Sequence, residues 1–226
     1  MTKPKISFLA FFILWAELQG WKVPNFHILV CIFLEKFYLS GRTALLMLPR
    51  GHSKSSILDV FNAWVIYCWP KTQILHQGTT DSDAYKCSKG TRDVLMRHPL
   101  CTNNNQVGIK QGEVERWFVN GTNDVRYGTM LAKGILSGVT GHRAHFIQND
   151  DVETPQTTAN PEQREKLPKK LSEQTHIAIP GAKKLWIGTP HTYDSLYEKI
   201  KKGKRVESYI LKMFEHEKRI ENGLKG

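Results

Sequence analysis

The sequence predicts an α/β fold: a mainly parallel central sheet flanked by helices and preceded by N-terminal helices. Three observations lead there. Residues 43–48 form a continuous apolar run of strand length, and 72–77, 145–149 and 184–187 read as further short strands with apolar centres. Such runs suit parallel strands covered on both faces. Helical patterns fall between them, and strands alternating with helices make a largely parallel sheet. Finally, 226 residues with a 40% hydrophobic share are enough for one large domain and exclude a disordered chain. Gly and Pro show no repeat period, which excludes collagen-like and solenoid folds.

Residues 6–40 read as two helices. Pro24 stops the first, and Asn25 can cap the second. The second is apolar at Ile28, Leu29, Cys31, Ile32 and Phe33, carries Glu35 and Lys36 on its polar side, and ends at Gly41. Lys3 and Lys5 before the apolar run 6–15 resemble the start of a signal peptide. The run is shorter than the ~20 residues that span a bilayer, and a small-x-small cleavage site is missing. It is expected to continue into Leu18 and pack on the domain.

Residues 43–48 form the first strand, 49–53 a loop, and 55–67 a helix with Ile57, Leu58, Phe61, Val65 and Ile66 as its apolar positions. A strand at 72–77 and a helix at 81–98 follow. Segments 114–120 and 125–133 flank the turn-like Asn120-Gly121 and Asn123-Asp124, a plausible hairpin. The strand 145–149 ends in two aspartates. A polar helix at 161–172, a last strand at 184–187 and a helix at 193–202 complete the pattern. Residues 199–226 hold nine Lys or Arg and four Glu and read as a strandless solvated helix or linker. The expected division is a helical segment at 1–40, a core at 41–204 and a basic C-terminal helix or linker at 205–226.

The formal net charge is +11. A globular protein this basic usually meets a polyanion, either nucleic acid or an anionic membrane surface, the alternative being a protein that is merely soluble and basic. Cys31, Cys68, Cys87 and Cys101 fall at no metal-ligand spacing and read as reduced, mostly buried thiols.

Chemistry concentrates after the first strand. Pro49-Arg50-Gly51-His52-Ser53-Lys54-Ser55 joins a buried strand to a helix, the context that a phosphate-binding loop requires. Backbone N–H groups of such a loop point at phosphates. Lys54 would reach the β- and γ-phosphates, and the Ser55 hydroxyl would ligate magnesium. Ser53 replaces the glycine usual before the lysine, and Leu48 stands where the first glycine is expected. Downstream, Asp150-Asp151-Val152-Glu153 follows an apolar strand. One acid there can position magnesium, and a second can orient or deprotonate a water attacking the γ-phosphate. A third strand runs into Gly188-Thr189-Pro190-His191-Thr192, a polar turn placed to sense hydrolysis.

Together these motifs resemble the ATPase domain of the large terminase subunit of tailed bacteriophages, especially T7-like DNA-packaging proteins, over residues 8–204. Phe11-Phe12-Ile13-Leu14-Trp15 and Pro24-Asn25-Phe26-His27 look like its N-terminal helix and adenine-side segment. Leu48 to Ser55 is similar to its variant Walker A loop with an early arginine. Val139-Thr140-Gly141-His142-Arg143-Ala144 followed by Asp150-Asp151 looks like its approach to Walker B. Gln163-Arg164-Glu165-Lys166-Leu167, Ile187 to Thr192 and Ser195-Leu196-Tyr197 match the stretch leading to its coupling motif. Two departures stand out: Asp151 where the family often has glutamate, and His27 where many members have glutamine.

The resemblance implies a P-loop NTPase of the ASCE type, a magnesium-dependent ATP hydrolase that moves double-stranded DNA into a procapsid. It would work as a homo-oligomeric ring on the portal protein, fed by a small terminase subunit, in the host cell cytoplasm and not in the mature virion or on a membrane. Arg50, Gly51, His52, Ser53, Lys54, Ser55 and Ser56, with Phe26 and His27, would bind ATP. Ser55 and Asp150 would hold Mg2+. Asp151 and Glu153 compete for the water-activating role, and Arg50 in cis or Arg143 facing a neighbour would supply the cation. Gly188, Thr189, Pro190 and His191 would couple hydrolysis to movement. No acid-rich two-metal constellation follows residue 205, so nuclease activity is not expected, whether because the chain is truncated or because a separate nuclease serves it. The alternatives are a helicase-like P-loop ATPase acting on nucleic acid, which needs further motifs and a second α/β domain, and a non-enzymatic secreted or membrane-anchored protein using the apolar N-terminus.

Overall fold

The computed structural model describes residues 3–102, 107–122, 126–139, 141–154, 161–189, 196–203 and 205–211. The N-terminal apolar run is helix α1, Phe8–Leu18, started by the Ser7 hydroxyl accepting from the Ala10 amide at 3.2 Å. Its Phe8, Phe11, Phe12, Trp15 and Ala16 are buried. Phe8 lies 4.9 Å from Phe61, and Phe11 stacks on His98 at 3.7 Å, so the run is core. Among the described residues, no helix is long and apolar enough to cross a membrane. Helix α2 spans Asn25–Ser40. Pro24 occupies its cap position, and Asn25, expected as the cap, is the first helical residue. Proline's fixed φ and missing N–H let it end one segment and open the next without a side-chain cap.

The remaining elements are β1 Thr43–Met47, α3 Lys54–Cys68, β2 Ile74–Gly78, α4 Asp81–Arg97, α5 Pro99–Thr102, β3 Ile109–Gly112, β4 Arg116–Val119 and β5 Met130–Gly134. Then follow β6 Ala144–Asp150, α6 Pro161–Ile177, β7 Ala178–Gly188, α7 Leu196–Lys201 and β8 Val206–Ile210. They build one eight-stranded sheet in the order β3-β4-β5-β2-β6-β7-β1-β8. The run from β5 to β8 is parallel, and β3 and β4 pair antiparallel at one edge. The expected hairpin is present as β4 and β5, with Trp117 opposite Met130. Asn123 and Asp124 of its turn lie outside the described residues. Strand β7 separates β1 from β6.

One expectation is corrected. Residues 206–210 are not linker or helix but strand β8, parallel to β1 with Tyr209 opposite Leu46. Val206, Tyr209 and Ile210 are half-buried, and the Tyr209 ring lies 5.6 Å from Phe33 of α2. Five residues beside a lysine-rich stretch carry too short a period to stand out, and pairing with β1 supplies what local pattern does not. Residues 212–226 of the expected tail lie outside the described residues.

Strand β1 shows why its apolar run is unbroken. Ala44 and Leu46 join the cluster of α1, α2 and α3, whereas Leu45 and Met47 join a second cluster with Val152, Leu167, Trp186 and Tyr197. Both faces are therefore dry. Buried polar pairs fix β6 against its neighbours. His76 Nδ1 meets Gln148 Oε1 at 3.1 Å, and Gln148 Nε2 donates to Asn62 Oδ1 at 2.5 Å. Gln174 Nε2 donates to Gln77 and Asn149 at 2.5 and 2.6 Å. These bonds hold the two residues that lead into Asp150. The four cysteines are buried and free, as expected.

Candidate active site

In a parallel sheet, ligands gather at the carboxyl ends of the strands, and here those ends carry the expected chemistry. The chain leaves β1 through a loop anchored where the Leu48 amide donates to Gly188 at 3.3 Å. Gly51 and Ser53 take left-handed backbone angles, φ +80° and +54°. Ser53 thus occupies the conformation that glycine supplies in the standard loop, at a cost of roughly 1–2 kcal/mol. Helix α3 opens at Lys54 with no side-chain cap bond, which leaves its first N–H groups for an anion. His52 Nδ1 lies 3.1 Å from the Arg50 carbonyl, and the His52 ring lies 5.3 Å from Phe26. The residues expected on the adenine side therefore meet the expected phosphate loop. His27, 6% exposed, stacks edge-on with Phe26 at 4.3 Å, and burial holds its imidazole below the usual pKa.

The acids arrive from β6. Lys54 Nζ pairs with Asp151 Oδ2 and lies 3.6 Å from Asp150 Oδ1. Asp151 leaves the strand at φ +46°. Its amide donates to Ile187 at 2.9 Å, its carbonyl accepts from the Thr79 hydroxyl at 2.7 Å, and its Oδ1 accepts from the Thr189 amide at 3.1 Å. Four elements or their ends (β2, β6, β7 and α3) thus hold one residue, with Lys54 and the Thr189 amide on its carboxylate and Thr79 and Ile187 on its backbone. Burial pushes the Asp150 carboxyl up to about 6, with Lys54 opposing and Asp151 adding to the rise. Glu153 is engaged elsewhere: its Oε2 accepts from the Leu196 amide at 2.7 Å, at the start of α7.

Two cavities meet here. One of about 330 Å³ is lined by the loop, Asp151 and Thr189. The other, about 370 Å³, is lined by Arg50, Ser55, Asp59, Thr79 and Asp150 among others. Arg50, Ser55 and Asp151 border both. The donor set fits magnesium. Ser55 and Asp150 offer hard oxygens to one cavity, and buried Asp150 Oδ1 accepts no hydrogen bond. Among the described residues no group of three or more His, Cys, Asp or Glu could hold a metal. Magnesium is usually held by one or two carboxylates plus substrate phosphates and keeps several waters, which matches so sparse a set.

Gly188 closes β7 where a Cβ would sit 2.6 Å from the Tyr197 ring, so the segment expected to couple hydrolysis begins with a glycine on steric grounds. Thr189 bonds Asp151 directly, whereas Pro190 and His191 lie outside the described residues. Arg143 is not brought to this site. It is exposed at the far end of seven-residue β6, about 20 Å of strand from Asp150. There it borders a hollow with Tyr127, His142 and His176, and it forms no ion pair among the described residues.

Two residues of the site escaped the sequence reading. Thr79 sits at the end of β2, and only the strand order places that end beside β6. Asp59 did leave a signal: it is an acid on an otherwise apolar, buried stretch of helix, four residues after Ser55.

No family model matches the chain. A search among curated proteins finds the terminase large subunit of Enterobacteria phage T3, 27% identical over 212 residues, covering 91% of this chain and 35% of that protein. The chain thus spans about a third of that relative's length. Among solved structures it is similar to the large terminase ATPase domain of Thermus phage P74-26, with a TM-score of 0.57 at 17% identity over 93% of this chain and 89% of the other. An arginine-to-alanine mutant of that domain gives 0.56 at 16% identity, over 93% and 90% of the two chains. At such identities the structural likeness establishes the P-loop α/β fold, and the motif resemblance points to the same relatives.

Proposed function

We propose that this chain is the ATP-hydrolysing motor domain of a viral DNA-packaging terminase, acting on double-stranded DNA. The observation that carries the reading is Lys54 at the start of α3 lying against both Asp150 and Asp151 at the end of β6. A phosphate-binding lysine, a metal-positioning acid and a water-orienting acid occupy one cleft.

The chemistry follows from these positions. Loop amides from Gly51 to Ser56 and the N-terminus of α3 bind the triphosphate. Lys54 leaves Asp151 for the β- and γ-phosphates, which frees the Asp151 carboxylate. Bound Mg2+, held by Ser55 and Asp150, would neutralise charge between those phosphates. Asp151, fixed by Thr79 and Thr189, orients the attacking water and accepts its proton. Arg50, bordering both cavities, meets charge developing on the γ-phosphoryl group. Because Thr189 bonds the same carboxylate, a change at Asp151 reaches the coupling segment directly.

The net charge of +11 suits a sequence-blind grip on phosphates, in which affinity falls steeply with salt. A homo-oligomeric ring on a portal protein, fed by a small terminase subunit in the host cytoplasm, is the setting in which such a domain would move DNA. The test is phosphate release from ATP with and without duplex DNA. We expect DNA-stimulated, magnesium-dependent turnover that Lys54→Ala lowers about 10²–10³-fold, the scale of losing one preorganised electrostatic donor, while the circular dichroism spectrum is retained. Near-wild-type turnover in folded Lys54→Ala protein would overturn the nucleotide assignment.

A further inference from the structure

We propose that Asp59 is a further carboxylate of the divalent-cation site, acting from helix α3 through the ion's bound waters. The proposal rests on the nucleotide reading above and adds a residue to it.

Ser55 and Asp59 are four positions apart on α3 and so share a helix face. Both line the 370 Å³ cavity, together with Asp150 and Thr79. Asp59 Oδ1 is buried and accepts no hydrogen bond, and the same holds for Asp150 Oδ1. Two buried carboxylate oxygens that accept no hydrogen bond therefore border one polar space. Lys54 serves Asp150 and Asp151, and Lys86, which also lines the cavity, pairs with Asp83. Asp59 forms no ion pair among the described residues.

A buried ionised carboxylate is costly unless it is paired, coordinates a metal or takes up a proton. The fold makes room for this one. Gly90 of α4 lies against the Asp59 carboxylate, where any Cβ would collide with it, and the Cys87 thiol bonds it from the same helix. Ser55, Thr79, Asp59 and Asp150 thus present hard oxygen donors around one cavity. Mg2+ keeps several of its waters and accepts such partners in its outer shell. That shell orients the inner ligands and usually contributes 10–100-fold to metal affinity.

The experiment measures Mn2+ binding to the full chain with ADP bound, by electron paramagnetic resonance, alongside ADP binding in EDTA. We expect Asp59→Asn to weaken Mn2+ about 10–100-fold while ADP affinity in EDTA is unchanged or tighter. Asp150→Asn should weaken Mn2+ at least as much. Mn2+ affinity within twofold of wild type in folded Asp59→Asn would overturn the proposal and leave Asp59 as a structural partner of Cys87. Should Asp59→Asn fail to fold, Asp59→Ser carries the same comparison. Wild-type chain that binds no ADP in either condition would instead sink the nucleotide reading itself.

Discussion

Lys54 and Asp151, 97 positions apart, are ion-paired across the gap between the first helix after the phosphate loop and the end of the central acid strand. Without nucleotide the lysine charge is spent on the acids. Under the proposed function phosphate would have to compete for it, so that nucleotide binding and release of the Asp151 carboxylate would be one event. Asp151→Asn should then bind ATP as well as wild type or better, yet hydrolyse it ~10²–10⁴-fold more slowly, the usual cost of losing a general base. Asp150→Ala should lose the magnesium dependence of nucleotide binding. Glu153→Gln should keep turnover within several-fold, because Glu153 accepts from the Leu196 amide rather than facing the phosphates. Single-turnover hydrolysis and equilibrium ATP binding on the three variants check this, and a slow Glu153→Gln beside a fast Asp151→Asn reverses the assignment.

Thr79 holds the Asp151 backbone where the chain turns left-handed. Thr79→Val should lower kcat about fivefold, the worth of one hydrogen bond near 1 kcal/mol, with ATP affinity unchanged. Thr79→Ser should restore it. A purely structural threonine would instead show a lowered melting temperature and unchanged kcat.

These residues mark how far the sequence reaches. The placing of Lys54, Ser55 and Asp150 in one cleft was legible because its signal is local: a buried strand must end where the polar loop begins. Asp151 was legible as an acid, but not as the one held by Thr79 and Thr189, because those contacts join segments far apart in sequence. Glu153 shared its candidacy until the amide of α7 claimed it. Strand β8 was hidden because an edge strand of five residues beside lysines has neither length nor periodicity enough, and its evidence lies in β1.

Arg143 stands at the opposite end of β6 from the acids and forms no ion pair among the described residues. That distance takes Arg143 away from its own subunit's acids, and in the proposed ring a neighbour's nucleotide is the target that a catalytic role would need. An arginine finger is worth ~10³–10⁵ in rate. Arg143→Ala and Asp151→Asn proteins, each inactive alone, should recover DNA-stimulated turnover when mixed, since a neighbour supplies the missing group. Mixtures that stay at the level of the separate variants argue against action in trans.

His76 gives the fold a pH limit. It is 1% exposed and donates to Gln148 between the strands that carry Thr79 and Asp150. Burial pushes its imidazole down to about 4 from the usual 6.5. Below pH 6.5 the unfolded chain takes up a proton that the folded chain refuses until about pH 4. The unfolded state therefore binds more protons in that window, so stability is full above it and is lost as pH falls. Asp150, raised from 3.8 to about 6, works in the opposite sense over most of that window and offsets part of the loss in both proteins. His76→Gln keeps a donor for Gln148 and removes the titration. Between pH 7 and 4.5, wild type should lose roughly 2 kcal/mol more stability than His76→Gln. Urea midpoints at the two pH values decide it, and parallel losses in the two proteins would mean that His76 is already protonated inside the fold.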